Sequence, residues 1–407
     1  MHSILGQPKA LATLQSQLAT GRVHHAQLFH GPAGVGKFTT AIAFAKIILC
    51  HSPQTDDAGV PSACGACESC RLFAAPSGSA GHATAKGGKK KAAAREWDDE
   101  DGEEDADDLN PVADGDPGAH PLSFSHPDLH IIVKELAAFS EDAAVRKRKL
   151  TQIPVEIIRE HLLGPAHRSP ALGHGKVLIV DEAELLNAAG QNAILKTLEE
   201  PPPGTVFILV TPREDRLLPT IRSRCQRVAF GPLAEPDVEA MLLLRHPSLD
   251  AKKAKWMAAF SQGSPGRGLL GLDYGLEEWA SSVLAPLREL AAGKPQPMLG
   301  ANMASRVDSL AATWVSRHKN ASKDAANRMA SDIMLSMISH ATTRRLHEAA
   351  NAAKAQGAGL AEQEARMRPF LRLIECVREA EIRVTQNANA ATVYDGLASA
   401  AHAAFGL

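Results

Sequence analysis

The feature that most constrains this chain is a glycine-rich turn, residues 31–37, that lies between a short apolar strand and a helix. Glycines let backbone N–H groups turn inward around phosphate oxygens, and the helix N-terminus adds a favourable dipole. The turn follows the G-x-x-x-x-G-K pattern of a phosphate-binding loop. The residues expected to surround the phosphates are Gly31, Gly34, Gly36 and Lys37.

The position after Lys37 departs from this pattern. A phosphate-binding loop of this kind places a Ser or Thr hydroxyl there as a ligand of Mg²⁺, whereas this chain has Phe38. Thr39 follows, but one helical step rotates a side chain by about 100°, which directs its hydroxyl away from the metal. Thr39 is therefore a poor substitute. We expect that ATP or ADP can still bind, and that Mg²⁺ binding and hydrolysis are impaired.

A second apolar strand ends in two carboxylates. Val177–Val180 is short and β-branched, as expected for a strand buried in a parallel sheet, and Asp181 and Glu182 follow it. At the carboxyl edge of such a sheet, Asp181 is placed to hold Mg²⁺ and Glu182 to polarise an attacking water. The alternative is an acidic helix N-terminus stabilised by the helix dipole, and the upstream loop favours the catalytic interpretation.

Alternation of buried strands and helices predicts an α/β domain with a largely parallel sheet over residues 1–230. Beyond Phe230, helical spacing of apolar residues dominates. It predicts a small helical region over 231–272 and a separate all-helical domain over 273–407. A chain of 407 residues is long enough for two or three such domains. The strands are expected at Ala26–Phe29, Leu129–Val133, Val177–Val180 and Val206–Val210.

The composition changes abruptly between about residues 74 and 120. Ser, Gly and Ala are followed by lysines and then by an acidic run from Asp98 to Asp108. A segment made of basic and acidic blocks with almost no apolar residues buries too little apolar surface to offset the entropy cost of ordering. We predict a disordered insertion; a partner-binding role for its basic and acidic halves is the alternative.

Four of the six cysteines lie close together in the sequence, with the spacing C-x₁₃-C-x₂-C-x₂-C. In a reducing compartment, such clustering favours a metal site over disulfides. Four thiolates suffice for a closed tetrahedral Zn²⁺ site, and an iron–sulfur cluster is the alternative because C-x₂-C-x₂-C suits it as well. The predicted ligands are Cys50, Cys64, Cys67 and Cys70.

Charge and hydropathy exclude two further classes of protein. A formal net charge of -2 shows no overall basic bias, so the run Arg146–Lys149 is the local candidate for phosphate contacts, although a solvated loop is favoured. No stretch approaches the roughly 18 apolar residues that cross a bilayer, and Met1–Gln7 lacks the layout of a signal peptide. We expect a cytoplasmic protein without membrane contact.

Several segments together resemble the AAA+ clamp-loader subunits of bacterial DNA polymerase III, the family that includes gamma/tau and delta-prime. The run Leu195–Pro202 is the most specific of them. Together they cover roughly residues 1 to 230, apart from the insertion. The segments are Ile4–Gln7, His25–Phe29, Gly31–Lys37, Val180–Ala183, Asn192–Pro202 and Ser223–Cys225.

This resemblance implies an AAA+ ATPase-like domain, a small helical lid and a helical collar. It implies a hetero-pentamer with gamma/tau and delta subunits that opens the sliding clamp and places it on primed DNA. In such an assembly Gly6 and Gln7 lie near the adenine, and Arg224 acts in trans as an arginine finger on a neighbour's ATP. Clamp-loader domains of this type carry a four-cysteine zinc module, which favours zinc over iron–sulfur here.

Two departures from the family pattern distinguish the types of subunit. Phe38 replaces the magnesium-binding hydroxyl of the gamma type. In the lid motif Gly263–Gly266, the last position is arginine in hydrolysing subunits, and Arg267 stands one residue late. Both changes favour a delta-prime-type subunit with weak or no ATP hydrolysis of its own, and a catalytically active gamma/tau-type ATPase is the alternative.

Overall fold

The computed structural model describes all residues except 1–3, 5, 57–58, 74–125, 141, 147–151, 318–321, 358 and 387. The predicted insertion and most of the basic run Arg146–Lys149 therefore lie outside the described residues. Within the described part, no helix combines the length and the apolar composition that a membrane-crossing segment needs.

A parallel five-stranded sheet forms the centre of the N-terminal region. In chain order the strands are β1 (Ala26–His30), β2 (Gln54–Thr55), β3 (Pro61–Ser62), β4 (Leu129–Ile132), β5 (Lys176–Val180), β6 (Thr205–Thr211) and β7 (Gln226–Ala229). The sheet order is β4-β5-β6-β1-β7, and every pairing in it is parallel. Strands β2 and β3 form a separate antiparallel hairpin.

The two central strands explain why the sheet forms. Every residue of β5 and β6 is buried, and alternate side chains enter different cores. Ile179 and Ile208, which are paired in register, lie in the core on one face. Leu178 and Phe207, also paired, lie in the core on the other face. Burying such a side chain contributes about 1.5–3 kcal/mol, so both strands need cover on both faces.

Helices cover the two faces of the sheet. The helix after β1 follows the glycine-rich turn, and the helix after β5 is capped by Asn187, whose side chain accepts a bond from the Gly190 amide. The helices up to β7 are α1 (Pro8–Ala19), α2 (Lys37–Ile48), α3 (Glu68–Leu72), α4 (Ala143–Arg146), α5 (Val155–Ile158), α6 (Gly164–Ala166), α7 (Ala188–Glu199) and α8 (Pro219–Arg222).

Beyond β7 the described chain is helical. The first three helices, which we call the lid segment, are α9 (Glu235–Arg245), α10 (Ala251–Ser261) and α11 (Pro265–Asp273). They are followed by α12 (Glu277–Trp279), α13 (Ala285–Ala291), α14 (Leu299–Arg317), α15 (Lys323–Ala355), α16 (Leu360–Thr385) and α17 (Ala390–Ala404). The last four pack as a closed set, in the pairs α14–α15, α15–α16, α16–α17 and α17–α14.

The predicted fold class is confirmed. A parallel sheet with helices on both faces is followed by an all-helical C-terminal region. One cluster of buried side chains extends from one face of the sheet through the lid segment to α14–α17. Phe29, Met257 and Tyr394 all belong to this cluster. The helical regions are therefore packed onto the sheet through apolar contacts.

Replacing two helical glycines by alanine should have opposite effects on the free energy of unfolding. A Cβ at Gly300 in α14 would lie 2.5 Å from Asp395 Oδ1 and 2.9 Å from its Cα, so Gly300→Ala should destabilise the C-terminal helices by about 1–3 kcal/mol. At Gly396 in α17 the nearest atom is Arg383 Nη1 at 3.7 Å, so Gly396→Ala should stabilise the helix by about 0.5–1 kcal/mol. Urea unfolding followed by circular dichroism measures both. A Gly300→Ala protein as stable as Gly396→Ala would contradict the close packing of α14 on α17.

Candidate nucleotide and metal sites

The phosphate loop joins β1 to α2. Gly31, Gly34 and Gly36 have φ values of 129°, 71° and 93°, a backbone conformation that favours glycine. Lys37 opens α2 and is 5% exposed. Its ammonium donates hydrogen bonds to the carbonyls of Gly31 at 2.7 Å and Pro32 at 2.5 Å. The lysine thus binds the loop's own backbone oxygens.

Burial also changes the acidity of this lysine. Desolvation lowers the pKa of Lys37 to about 8, although the carboxylates of Asp181 and Glu184 oppose the change. A buried ammonium favours a negatively charged partner such as phosphate. The loop therefore keeps a cation in the position that a phosphate needs.

The side chains after Lys37 lie as helical rotation predicts. Phe38 packs against the hydrophobic core, and Thr39 is exposed. Thr40 is buried, but its hydroxyl donates to the Gly36 carbonyl at 2.8 Å within the helix. Of the hydroxyl groups on this first turn, one faces solvent and the other is used by the helix backbone.

Asp181 and Glu182 follow β5 at the carboxyl edge of the sheet. Desolvation raises the pKa of Asp181 to about 6, and the charge of Lys37 opposes that rise. Asp181 Oδ1 accepts a hydrogen bond of 3.0 Å from the Glu182 amide. Glu182 has a left-handed backbone, with φ at 49°, so its side chain leaves the strand direction.

Lys134 is a residue of this edge that the sequence analysis missed. It follows the end of β4, the strand beside β5, and its ammonium lies 2.8 Å from Glu182 Oε2 and 3.0 Å from Oε1. Burial lowers the pKa of Lys134, but the Glu182 carboxylate outweighs it and the net pKa is raised. The only signal in the sequence was a lysine just beyond a predicted strand.

Glu184 and Thr211 were missed as well. Thr211 ends β6, is fully buried, and donates its hydroxyl to Glu184 Oε2 at 2.8 Å. Burial raises the pKa of Glu184, while this hydrogen bond opposes the rise. Three neighbouring strands therefore deliver polar groups to one edge, as parallel strands must.

Gly6 and Gln7 tie the N-terminal segment to the loop. The side-chain amide of Gln7 is 4% exposed and donates to the carbonyls of Val35 at 3.2 Å and Gly231 at 2.7 Å. It also accepts a bond of 3.1 Å from the Gly231 amide. Gly6 has φ at 71°, and a Cβ there would lie 2.5 Å from Leu233 Cγ.

The lid segment lies directly on the phosphate loop. Ser264 donates its hydroxyl to the Ala33 carbonyl at 2.9 Å, and the Gly266 amide donates to the Gly34 carbonyl at 2.9 Å. A Cβ on Gly266 would lie 2.9 Å from Gly34 Cα, so this contact needs a residue without a side chain. The position expected to carry an arginine in hydrolysing subunits is thus a backbone contact here.

Arg224 follows α8. Its guanidinium donates to the Thr220 carbonyl at 2.9 Å and forms an ion pair with Glu199 at the end of α7. The side chain is 35% exposed. These partners leave the guanidinium at the surface.

The four cysteines of the cluster converge on one point. Their ligand atoms all lie within 4.8 Å of one another, with Sγ–Sγ distances of 3.6 Å for Cys50–Cys70 and 3.9 Å for Cys50–Cys67 and Cys64–Cys70. A tetrahedral ion with metal–sulfur bonds of about 2.3 Å holds its sulfurs about 3.8 Å apart. The spacing therefore fits a single tetrahedral ion.

Backbone amides stabilise the thiolate form of this cluster. The amides of Cys64, Cys67 and Cys70 donate to sulfurs of the cluster at 3.3–3.4 Å. Burial opposes ionisation of Cys67, but backbone bonds from Cys70 and His51 lower its pKa to about 6. Burial raises the pKa of Cys70 to about 12. A bound cation would release the remaining protons.

Comparison with known proteins places these sites in a family context. A DNA polymerase III subunit delta' from Pseudomonas aeruginosa is 29% identical over 279 residues, which are 68% of this chain and 65% of that protein. A DNA polymerase III subunit gamma/tau from Mycobacterium bovis is 29% identical over 239 residues, or 59% of this chain and 30% of that protein. The chain thus matches less than two thirds of the length of each relative.

A solved structure and a family model were also matched. The structure is a DNA polymerase III gamma subunit-related protein from Thermotoga maritima, with 20% identity, a TM-score of 0.30, and coverage of 69% of this chain and 84% of that chain. The family model, described as DNA polymerase III, delta subunit, matches residues 6–234, which are more than half of the 407 residues. The chain therefore belongs to the DNA polymerase III delta subunit family.

Proposed function

We propose that this chain is a delta-prime-type subunit of the DNA polymerase III clamp loader. It would work in the cytoplasm, in a hetero-pentamer with gamma/tau and delta subunits, and assist ATP-driven loading of the sliding clamp onto primed DNA. Its own ATP hydrolysis would be weak or absent, and Arg224 would serve a neighbour's site. The proposal rests on the family match and on the relatives named delta'.

The observation that carries the loss of hydrolysis is the state of the phosphate loop. The Mg²⁺ hydroxyl is replaced by Phe38, which is partly buried against the core, and the lid arginine is replaced by Gly266, which is bonded to Gly34. Lys37 already binds two loop carbonyls. Phosphate has to displace these bonds, and a bound nucleotide would lack two of the groups that neutralise transition-state charge.

One carboxylate of the site supports the same conclusion. Glu182 would have to act as the base that polarises water, but it is ion-paired with Lys134. That ion pair would have to open before the carboxylate could approach an attacking water.

The proposed role of Arg224 in trans is supported by its exposure and by its partner. An ion pair at this degree of exposure is worth at most about 1 kcal/mol, so exchanging Glu199 for a phosphate on another subunit is inexpensive. A planar guanidinium is well suited to developing phosphoryl charge. Arg224 lies two residues after the end of the short helix α8.

We propose that the cysteine cluster binds one structural Zn²⁺ through Cys50, Cys64, Cys67 and Cys70. Four thiolates close the coordination sphere and leave no position for substrate, so the ion would fix the polypeptide between α2 and α3. In a [4Fe–4S] cluster each thiolate binds a different iron, and in a [2Fe–2S] cluster the four thiolates are divided between two irons, so neither holds all four sulfurs around one ion as the spacing here allows.

The second candidate function is a catalytically active subunit of the gamma/tau type. The observation in its favour is that the loop pattern from Gly31 to Lys37 is intact and that Asp181 and Glu182 both lie at the sheet edge. A gamma/tau relative is as similar in identity as the delta' relative.

Turnover by the isolated chain separates the two candidates. We expect the purified protein to hydrolyse ATP no faster than its Lys37→Ala variant, because the Mg²⁺-binding hydroxyl and the lid arginine are both missing. A coupled phosphate-release assay measures this. Turnover that Lys37→Ala abolishes would favour the gamma/tau type.

The role of Arg224 is tested in the reconstituted complex. Arg224→Ala should slow hydrolysis at the one site it completes by about 10³-fold or more, the range known for arginine fingers. Single-turnover ATP hydrolysis by the whole complex measures this, because the site that loses its arginine should no longer contribute its phase to the time course. Arg213→Ala is the matched control, since this exposed arginine forms an ion pair with its neighbour Asp215 at 3.1 Å. Equal kinetics for Arg224→Ala and Arg213→Ala complexes would remove the proposal.

Metal content tests the cysteine cluster. The purified chain should be colourless and contain one zinc per chain, and Cys70→Ser should lose the metal because a closed site needs all four thiolates. Elemental analysis by mass spectrometry measures the stoichiometry. Cys376→Ser is the control, since Cys376 lies in α16 outside the cluster and should leave the zinc content unchanged. A brown protein containing iron would overturn the zinc assignment.

A further inference from the structure

The side chain of Arg267 is directed away from the phosphate loop. It lies in the first turn of α11, one residue after the Gly266 contact with the loop. Its guanidinium donates to the Ser336 hydroxyl of α15 at 2.6 Å and to Gln262 Oε1 at 3.4 Å. Asp332, one turn before Ser336, attracts the same cation. Arg267 therefore belongs to the junction between the lid segment and α15.

Gln262 completes this junction from the end of α10. It is one of two non-glycine residues with positive φ in the described part of the chain, at 51°. Its side-chain amide donates to the Ser336 carbonyl at 3.0 Å, and the Ser336 hydroxyl lies 3.2 Å from Gln262 Oε1. We call the three residues Gln262, Arg267 and Ser336 the latch. A strained backbone at Gln262 persists where surrounding contacts hold it.

The segment 262–267, which carries Gln262 and Arg267, is also bonded to the phosphate loop. Ser264 and Gly266, which lie between these two members of the latch, donate to the carbonyls of Ala33 and Gly34 at 2.9 Å. The segment is six residues long, and Pro265 at the start of α11 restricts its backbone. A movement of the loop at Gly34 must therefore move the segment or break the latch.

We propose that Arg267 and Gln262 are positioning residues that couple the phosphate loop to α15 through the segment 262–267. The latch holds the segment on α15, and the segment holds the loop carbonyls in their present positions. Entry of phosphate groups would displace the segment and strain its hydrogen bonds with α15. The state of the loop is thereby transmitted to the C-terminal helices, without any contact between Arg267 and nucleotide.

Hydrogen–deuterium exchange on the full chain tests this coupling without nucleotide or partner subunits. Arg267→Ala should accelerate exchange in residues 262–268 and also in the loop 31–37, by at least about tenfold, the factor expected for losing a hydrogen bond to a charged group. Exchange in β5 and β6 should stay unchanged. Arg267→Lys, which keeps the charge but offers fewer donors, should give an intermediate acceleration at both places.

Arg345→Ala is the matched control. It removes an arginine from α15, the helix that carries Ser336; Arg345 pairs there with Glu348 at 3.1 Å and is 49% exposed. Exchange of the loop should not change in this variant. A milder second variant, Ser336→Ala, should accelerate the same two segments, and the double variant with Arg267→Ala should add little, as expected for groups in one network.

The variant Gln262→Gly distinguishes the effect of losing the latch bonds from the effect of relieving backbone strain at position 262. Glycine removes the penalty of the positive φ, so strain alone predicts slower exchange of the segment 262–268. The latch predicts faster exchange, because the amide bonds to Ser336 are lost. Acceleration confined to 262–268, with the loop unaffected, would overturn the coupling, and so would a general acceleration that includes β5 and β6. The test does not depend on the clamp-loader assignment, so its failure would leave that proposal intact.

Discussion

The burial of one cation at the carboxyl edge of a parallel sheet organises the rest of the site. Lys37 is removed from water at the point where β1 ends, and desolvation lowers its pKa to about 8. Because parallel strands all end on the same edge, the carboxylates that follow β5 lie near it. The neighbouring carboxylates of Asp181 and Glu184 oppose that lowering. In the present arrangement the ammonium is satisfied by loop carbonyls, which is the bond network that a phosphate would replace.

A second constraint is the close approach of two backbones. Gly34 in the loop and Gly266 in the lid segment meet with no room for a Cβ on either side. This contact holds the lid segment on the loop and leaves no room for a side chain at position 266. The position that the family resemblance assigns to an arginine is therefore occupied by a backbone contact. Together with Phe38, which packs against the core, this contact supports the proposed delta-prime-type role.

Much of the fold could be predicted from the sequence, because the signals were local. Buried β-branched runs such as Val206–Val210 gave strand β6 to within one residue at each end, and the glycine-rich turn placed β1 and α2. The convergence of the four cysteines was also expected, since two C-x₂-C spacings bring their sulfurs onto one short turn and helix. The exposed position of Thr39 followed from helical rotation alone.

The remaining features depend on contacts between distant parts of the chain. Lys134 and Glu182 are 48 residues apart, and their pairing requires β4 and β5 to be neighbours in the sheet. Ser264 and Ala33 are 231 residues apart, so the lid contact could not be predicted from spacing. Sequence position suggested that Arg267 falls short of the phosphate, but only the packing of α11 against α15 determines that it binds Ser336.

We propose that this chain completes a neighbour's ATP site while its own loop stays closed. A structure of the reconstituted complex with a non-hydrolysable ATP analogue distinguishes this arrangement from catalysis within the chain. We expect the Arg224 guanidinium within hydrogen-bond distance of a neighbouring γ-phosphate, with the Gly34–Gly266 contact preserved in this chain. Magnesium and the analogue bound in this chain's own loop, with Arg224 still paired to Glu199, would show that the proposal is wrong.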